Sequence, residues 1–261
     1  MQQVPASMAN PTSRFKWTLD AVEALEHELR TPLTVLLGYL ELLANEDSVS
    51  PEQRRIFIAM LRNARQLHTT VERLIWLHAL GAQRVNFYKA PVNLVSLVRD
   101  RAFQWRTEAQ QAGLRLTLQL DVPMAYTLGD ARFLQIALDI LVENAIKFGR
   151  VVRRRTSSKE QPMVQIHVWE NAEEVRVSVS DQGIGMSPHV LRRIFAPFFQ
   201  ADRSATRSFG GLGISLALCK AIIDAHGGRV WAESDGPGKG SVFHIALPRM
   251  WPQRAGAQHR V

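Results

Sequence analysis

The sequence predicts an α+β protein: an N-terminal helical hairpin followed by an α/β sandwich. Three observations predict it. Two long runs before residue 81 repeat apolar residues at helical spacings of three and four. Period-two alternation, the mark of strands, begins only beyond Leu114. Further helical runs then intersperse with those strands without strict βαβ repetition.

The elements follow in order. Residues 1–14 carry Pro5, Asn10, Pro11 and Ser13 and read as a flexible start. From Phe15 to Ala44, the residues Val22, Leu25, Leu29, Leu33, Leu36, Leu40 and Leu43 form one helical stripe. Asn45 to Pro51 is a turn. Ser50 is the N-cap of the next helix, with Pro51 at its first position and Gln53 completing a capping box. That helix runs to about Leu80, with Phe57, Met60, Ala64, Leu67, Val71, Leu74 and His78 as a heptad seam. Two long helices with a short turn make an antiparallel hairpin. One hairpin cannot cover both apolar faces, so a homodimeric four-helix bundle is expected. The hairpin unit is placed at residues 15–81, a linker at 82–90 and a second domain at 91–250, with a frayed tail at 251–261. In the second domain, helices are expected at Leu94–Ala112, Asp130–Phe148, Pro188–Phe195 and Leu216–His226. Strands are expected at Leu114–Leu120, Val164–Trp169, Val175–Val179, Val230–Glu233 and Val242–Leu247.

Composition narrows the classes. With 46% hydrophobic and 21% charged residues, the 261-residue chain is not a disordered one. Its longest apolar stretch, Leu33–Leu43, contains Glu41 and is too short to span a bilayer. No signal peptide is read at the start, and no membrane segment is expected. The single cysteine, Cys219, excludes an intrachain disulfide and suits a reducing cytoplasm. A net charge of +8 admits nucleic acid as a partner, but the charge is spread out and no basic recognition helix is found. No nucleic acid is therefore expected. The stretch Arg150, Arg153, Arg154, Arg155 and Lys159 reads as a solvated loop after the Asp130–Phe148 helix. His226 reads as a helix-terminal residue that complements the dipole. Cys219 reads as core.

Five segments carry chemistry. In His27-Glu28-Leu29-Arg30-Thr31-Pro32-Leu33-Thr34, Thr31 shares a helix face with His27, and Glu28 can reach the imidazole from the side. A carboxylate accepting one ring proton makes the other nitrogen more nucleophilic. Pro32 removes a backbone donor and is expected to bend the helix. In Glu143-Asn144-Ala145-Ile146-Lys147-Phe148, Asn144 offers a hard neutral oxygen and Lys147, a turn on, a cation. Asp181-Gln182-Gly183-Ile184-Gly185 follows a strand; its glycines let backbone approach a flat ring, and its carboxylate can accept from an exocyclic amine. Arg193 to Phe199 is an aromatic cluster containing Phe195 and Phe198. Phe209-Gly210-Gly211-Leu212-Gly213-Ile214-Ser215 opens a helix whose N–H groups suit phosphate. It is neither a Walker loop nor a Rossmann fingerprint. Taken singly, most of these segments are ordinary surface, turn or core.

Together, and in this order, they closely resemble the two-component sensor histidine kinases over about Phe15 to Pro248: a HisKA dimerisation and phosphoacceptor domain, then a GHKL-type ATP-binding domain. The resemblance implies that His27 is autophosphorylated, Glu28 is the general base, and Thr31 positions water for dephosphorylating the partner. It implies ATP and Mg²⁺ as cofactors, with Asn144 on the metal and Lys147 on the phosphates. Asp181, with Gly183 and Gly185, would read adenine. Phe195 and Phe198 would anchor the lid formed by residues 201–208, and Gly211, Gly213 and Ser215 would hold the triphosphate. The implied partners are a second copy and a response regulator, whose aspartate receives the phosphoryl group. No sensor domain is recognised before residue 15, so a separate sensor or activating protein, or a longer parent chain, is expected to supply the signal. Three positions depart from the family: Glu26, Ile140 and Ser215, the last where a third glycine is usual. Gyrase-type ATPases place a water-activating carboxylate four residues before the magnesium asparagine. Here that residue is Ile140, which cannot act as a base. The alternative reading is a catalytically weak, nucleotide-binding dimeric signalling scaffold.

Overall fold

The structure, a computed structural model, describes residues 19–155, 161–201 and 212–250, with side chains described over 28–152 in the first span. The expected N-terminal start, lid, C-terminal tail, Gly211 and Lys159 lie outside the described residues. The chain divides into two compact units between Ile75 and Trp76.

In the first unit, α1 (Leu19–Asn45) and α2 (Pro51–Gly81) form the expected hairpin. The capping box is present: Gln53 N–H donates to Ser50 Oγ at 3.2 Å, and Ser50 N–H donates to Gln53 Oε1 at 3.1 Å. Arg65 pairs with Glu41 at 2.6 Å, and Arg54 reaches the Glu46 carbonyl, as antiparallel helices require. The α1 helix remains continuous through Pro32. The expected stripe divides in two. Leu33 and Leu40 are buried, with Ala44 outside the stripe beside them, while Leu29, Leu36 and Leu43 are exposed. Within one chain the α2 seam is only partly sheltered. Met60 and Leu67 are about half exposed, and the sheltered row is Phe57, Leu61, Ala64, His68, Val71 and Ile75. Both rows obey heptad spacing and share Phe57, Ala64 and Val71, so periodicity alone could not choose between them.

The second unit contains β1 (Ala90–Asn93), α3 (Leu94–Gln111), β2 (Arg115–Leu120), β3 (Tyr126–Gly129), α4 (Ala131–Arg155), β4 (Met163–Glu170), β5 (Glu174–Asp181), α5 (Pro188–Leu191), α6 (Ser215–Ala225), β6 (Arg229–Glu233) and β7 (Ser241–Pro248). The main sheet has the order β2-β4-β5-β7-β6; β2 and β4 are parallel and every other pair is antiparallel. Its inner face alternates Val164, Ile166, Val168 with Val175, Val177, Val179 and Phe243, Ile245, Leu247, all buried. Val98 and Trp105 of α3, Leu134, Leu138 and Leu141 of α4, and Leu218 and Ile222 of α6 complete this core. Each such side chain contributes about 1.5–3 kcal/mol over leaving it in water. The result is the expected two-layer sandwich. Trp76, Leu77 and Leu80, on the last turns of α2, pack on this core and belong to the second unit.

Several boundaries differ from expectation. The α4 helix continues to Arg155, so Arg150, Arg153, Arg154 and Arg155 lie on a helix and not in a loop. No proline interrupts that run, and basic residues suit a helix C-terminus. The helix starting at Pro188 ends at Leu191 and gives way to turns. Strands β1 and β3 form a two-stranded sheet that the sequence reading lacks; each has four residues, too few for a period to register. No helix among the described residues is long and apolar enough to cross a membrane.

Candidate functional site

The chemistry-bearing segments of the second unit gather where β5 ends. Asp181, the last residue of β5, is 6% exposed. Its Oδ1 accepts from Gly183 N–H at 2.7 Å, and its Oδ2 accepts from the Ser241 hydroxyl at 2.9 Å. Burial pushes its carboxyl up to about 6, against the pull of those two donors. Each oxygen keeps a lone pair, so the group can still accept from a ligand amine.

The loop after Asp181 is held by glycines. Gly185 has φ +64°, and a Cβ there would run into the Gly236 carbonyl. Gly183 lies against the backbone and Cβ of Phe148, which brings that turn of α4 beside Asp181. In this structure these glycines make room for chain against chain. The loop 234–240 supports them: Ser234 Oγ accepts from Met186 N–H at 3.0 Å and donates to Gly240 O at 2.6 Å.

Asn144 and Lys147 are half-buried on α4. Burial lowers the Lys147 pKa, because a cation loses hydration there. An anion beside a half-buried ammonium favours its charged form. Ile140 is buried at 1% exposure. Its neighbour Asp139 is held by Arg101 at 3.1 Å and by the Trp105 indole N–H at 2.8 Å, both on α3. Neither residue offers a base to a nucleotide.

Phe195 packs edge-on against Phe243 at 6.2 Å. Phe198, in contrast, is 64% exposed among the described residues, with φ +61°. Its backbone N–H donates to Gly213 O at 2.9 Å, tying the aromatic segment to the start of α6. Gly213 has φ +70°, and a Cβ there would strike the Phe199 carbonyl. Ser215 is the first residue of α6 and is not among the positive-φ residues, so a glycine is not required at this position. No side chain caps α6, whose N-cap is Ile214. On α1, Glu28 and Thr31 are exposed; the side chain of His27 lies outside the described residues.

Two features escaped the sequence reading. One is Ser241, whose hydroxyl orients Asp181; the Gly236-Pro237-Gly238-Lys239-Gly240 run before β7 was its signal. The other is His226, which is not a cation at a helix end. It is buried; its Nε2 accepts from Asp130 N–H at 3.0 Å and its Nδ1–H donates to Ile222 O at 2.7 Å. A backbone N–H can only donate, so that ring is neutral, and burial lowers its pKa accordingly. Cys219 is core as expected, its thiol pushed up to about 12 by burial.

Removing the Ser241 hydroxyl tests the Asp181 arrangement. Ser241→Ala deletes a donor that favours the carboxylate. The Asp181 pKa is expected to rise further above 6, and the pH midpoint of nucleotide binding to move up with it. A titration of affinity between pH 5 and 8 reads the shift; an unmoved midpoint would refute the pairing.

Two family profiles match the chain. His Kinase A (phospho-acceptor) domain covers residues 19–82, and Histidine kinase-, DNA gyrase B-, and HSP90-like ATPase covers residues 129–250. The chain belongs to the sensor histidine kinases. The sensor protein DivL of Caulobacter vibrioides is 33% identical over 91% of this chain and 29% of its own length. The full-length structure of ShkA in complex with AMPPNP shares 28% identity with a TM-score of 0.72, over 91% of this chain and 47% of that one. The histidine kinase ThkA, solved in complex with the response regulator protein TrrA, shares the fold at 22% identity and TM-score 0.56, over 88% of this chain and 61% of that one. The chain spans less than half the length of the curated relatives it matches. Its second unit is an ATP-binding domain of the GHKL type.

Proposed function

We propose that this chain autophosphorylates His27 from Mg-ATP and passes the phosphoryl group to an aspartate of a response regulator. One observation carries the reading: neither Ile140, four residues before Asn144, nor its neighbour Asp139 can serve as a hydrolytic base. With Ile140 buried and Asp139 committed to α3, water is poorly activated. A phosphoryl acceptor must then come from elsewhere, and His27 supplies one. Phosphoryl transfer asks the protein mainly for positioning and charge neutralisation. Asp181 would hold adenine, and Lys147 the phosphates, with Gly211, Gly213 and Ser215 opening α6 toward them. Mg²⁺ would be held by Asn144 and would neutralise phosphate charge when bound. Glu28 would take the imidazole proton, and Thr31 would position water for the reverse, dephosphorylating step.

The exposed apolar row Leu29, Leu36, Leu43, with Met60 and Leu67 on α2, supports a homodimeric bundle. The ThkA–TrrA complex supports a response regulator as the second partner. A lone buried thiol and an ATP substrate suit the cytoplasm.

The test is incubation with Mg²⁺ and γ-labelled ATP beside a His27→Ala variant. Acid-labile, base-stable label that vanishes in the variant is expected. ATP binding without label would replace this reading with the nucleotide-binding scaffold.

A further inference from the structure

We propose that strand β6 is a self-complementary edge through which the second units of two copies of this chain join into one continuous sheet. β6 is the terminal strand of the main sheet and pairs only with β7. Every second residue of such a strand points its N–H and C=O away from its neighbour. Among the described residues, no hydrogen bond reaches the outer backbone groups of Arg229–Glu233.

The side chains of this edge match a copy of themselves. Arg229, Trp231 and Glu233 share the face of the sheet away from the helices, and Val230 and Ala232 the other. Reversing the strand exchanges the two charges and leaves Trp231 central. In antiparallel pairing about a two-fold axis through Trp231, Arg229 lies opposite Glu233 of the second copy, twice. Trp231 meets its own copy, and Val230 meets Ala232. Such isologous contacts require this self-complementarity.

The groups have capacity to pair. Arg229 spends part of its guanidinium on Glu174, with Nη2 at 2.9 Å from Oε2, yet its side chain is 57% exposed. A guanidinium has five N–H donors, so it can bridge a second carboxylate. Glu233 is 67% exposed, with one oxygen accepting from the Trp231 indole N–H at 3.0 Å. Trp231 is already ordered, stacked on His244 at 4.8 Å with Arg229 at 5.4 Å, so little freedom is lost on docking. Edges are blunted by proline, bulges or charged side chains that a second strand cannot match. β6 has opposite charges at its two ends and no proline. The other edge strand, β2, turns Arg115, Thr117 and Gln119 to the same face, which two copies cannot pair by charge.

The proposal does not depend on the kinase reading or on association of the helical hairpin. The test is sedimentation velocity of the full chain over a concentration series, for wild type, Arg229→Glu, Glu233→Arg and an equimolar mixture of the two variants. All share the unaltered hairpin, so any association through it contributes equally. Each reversal alone sets like charges opposite one another and is expected to weaken the association step about tenfold or more. The mixture sets opposite charges together and is expected to recover it. Glu233→Arg breaks no ion pair with Glu174, and thermal unfolding of each variant separates loss of pairing from loss of fold. Wild type that associates no better than Glu233→Arg, or a mixture without recovery, would overturn the proposal.

Discussion

Asn in place of Asp181 is expected to lower ATP affinity about a hundredfold while leaving the second unit folded. Gly183 N–H can only donate, so the amide oxygen must turn toward it. The amide nitrogen then takes the Oδ2 position, where it can donate to the Ser241 oxygen. That exchange satisfies the fold. It also places a donor where an adenine amine needs an acceptor. The stability change has the opposite sign. The Asp181 pKa is raised in the folded unit to about 6 from an ordinary 3.8. Its contribution to stability is therefore fully present below pH 3.8 and lost as pH rises through 6, by about 3 kcal/mol. At pH 7 the asparagine variant without nucleotide should melt no lower than wild type. In wild type, ATP affinity should fall as pH drops below 6, because the protonated carboxyl loses acceptor strength. Calorimetric titration with ATP and thermal unfolding at pH 5 and 7 measure both. Undiminished affinity in the variant would remove Asp181 from the site.

Trp105→Ala is expected to cost the second unit about 3–5 kcal/mol and to take nucleotide binding with it. Trp105 is 1% exposed beneath the sheet, and its indole N–H reaches Asp139 on α4. Truncation leaves a large cavity between α3 and α4 and loosens the helix that carries Asn144 and Lys147. Trp105→Phe separates the two contributions. It keeps most of the packing and leaves Asp139 with Arg101, so a loss nearer 1 kcal/mol is expected. Urea unfolding followed by tryptophan-independent circular dichroism reads both variants. Equal costs for Ala and Phe would mean that the hydrogen bond, and not the volume, holds α3 to α4.

The sequence by itself determined the order and type of the longer elements, because each carries a period. The α1 and α2 helices, the capping box at Ser50 and Gln53, and the alternating cores of β4, β5 and β7 were all legible locally. So were the segments on which the family resemblance rests, since short motifs survive as contiguous residues. Tertiary structure alone decided which of two overlapping heptad rows α2 shelters, for Phe57, Ala64 and Val71 belong to both. It alone brought Ser241 to Asp181, sixty residues apart in the chain, and His226 to the amide of Asp130. It turned Asp139 toward α3 and placed β6 at a sheet edge, which sets its outer amides free of the ladder. In each case the deciding contact is between side chains or strands distant in sequence, and a period describes only what a residue shares with its near neighbours.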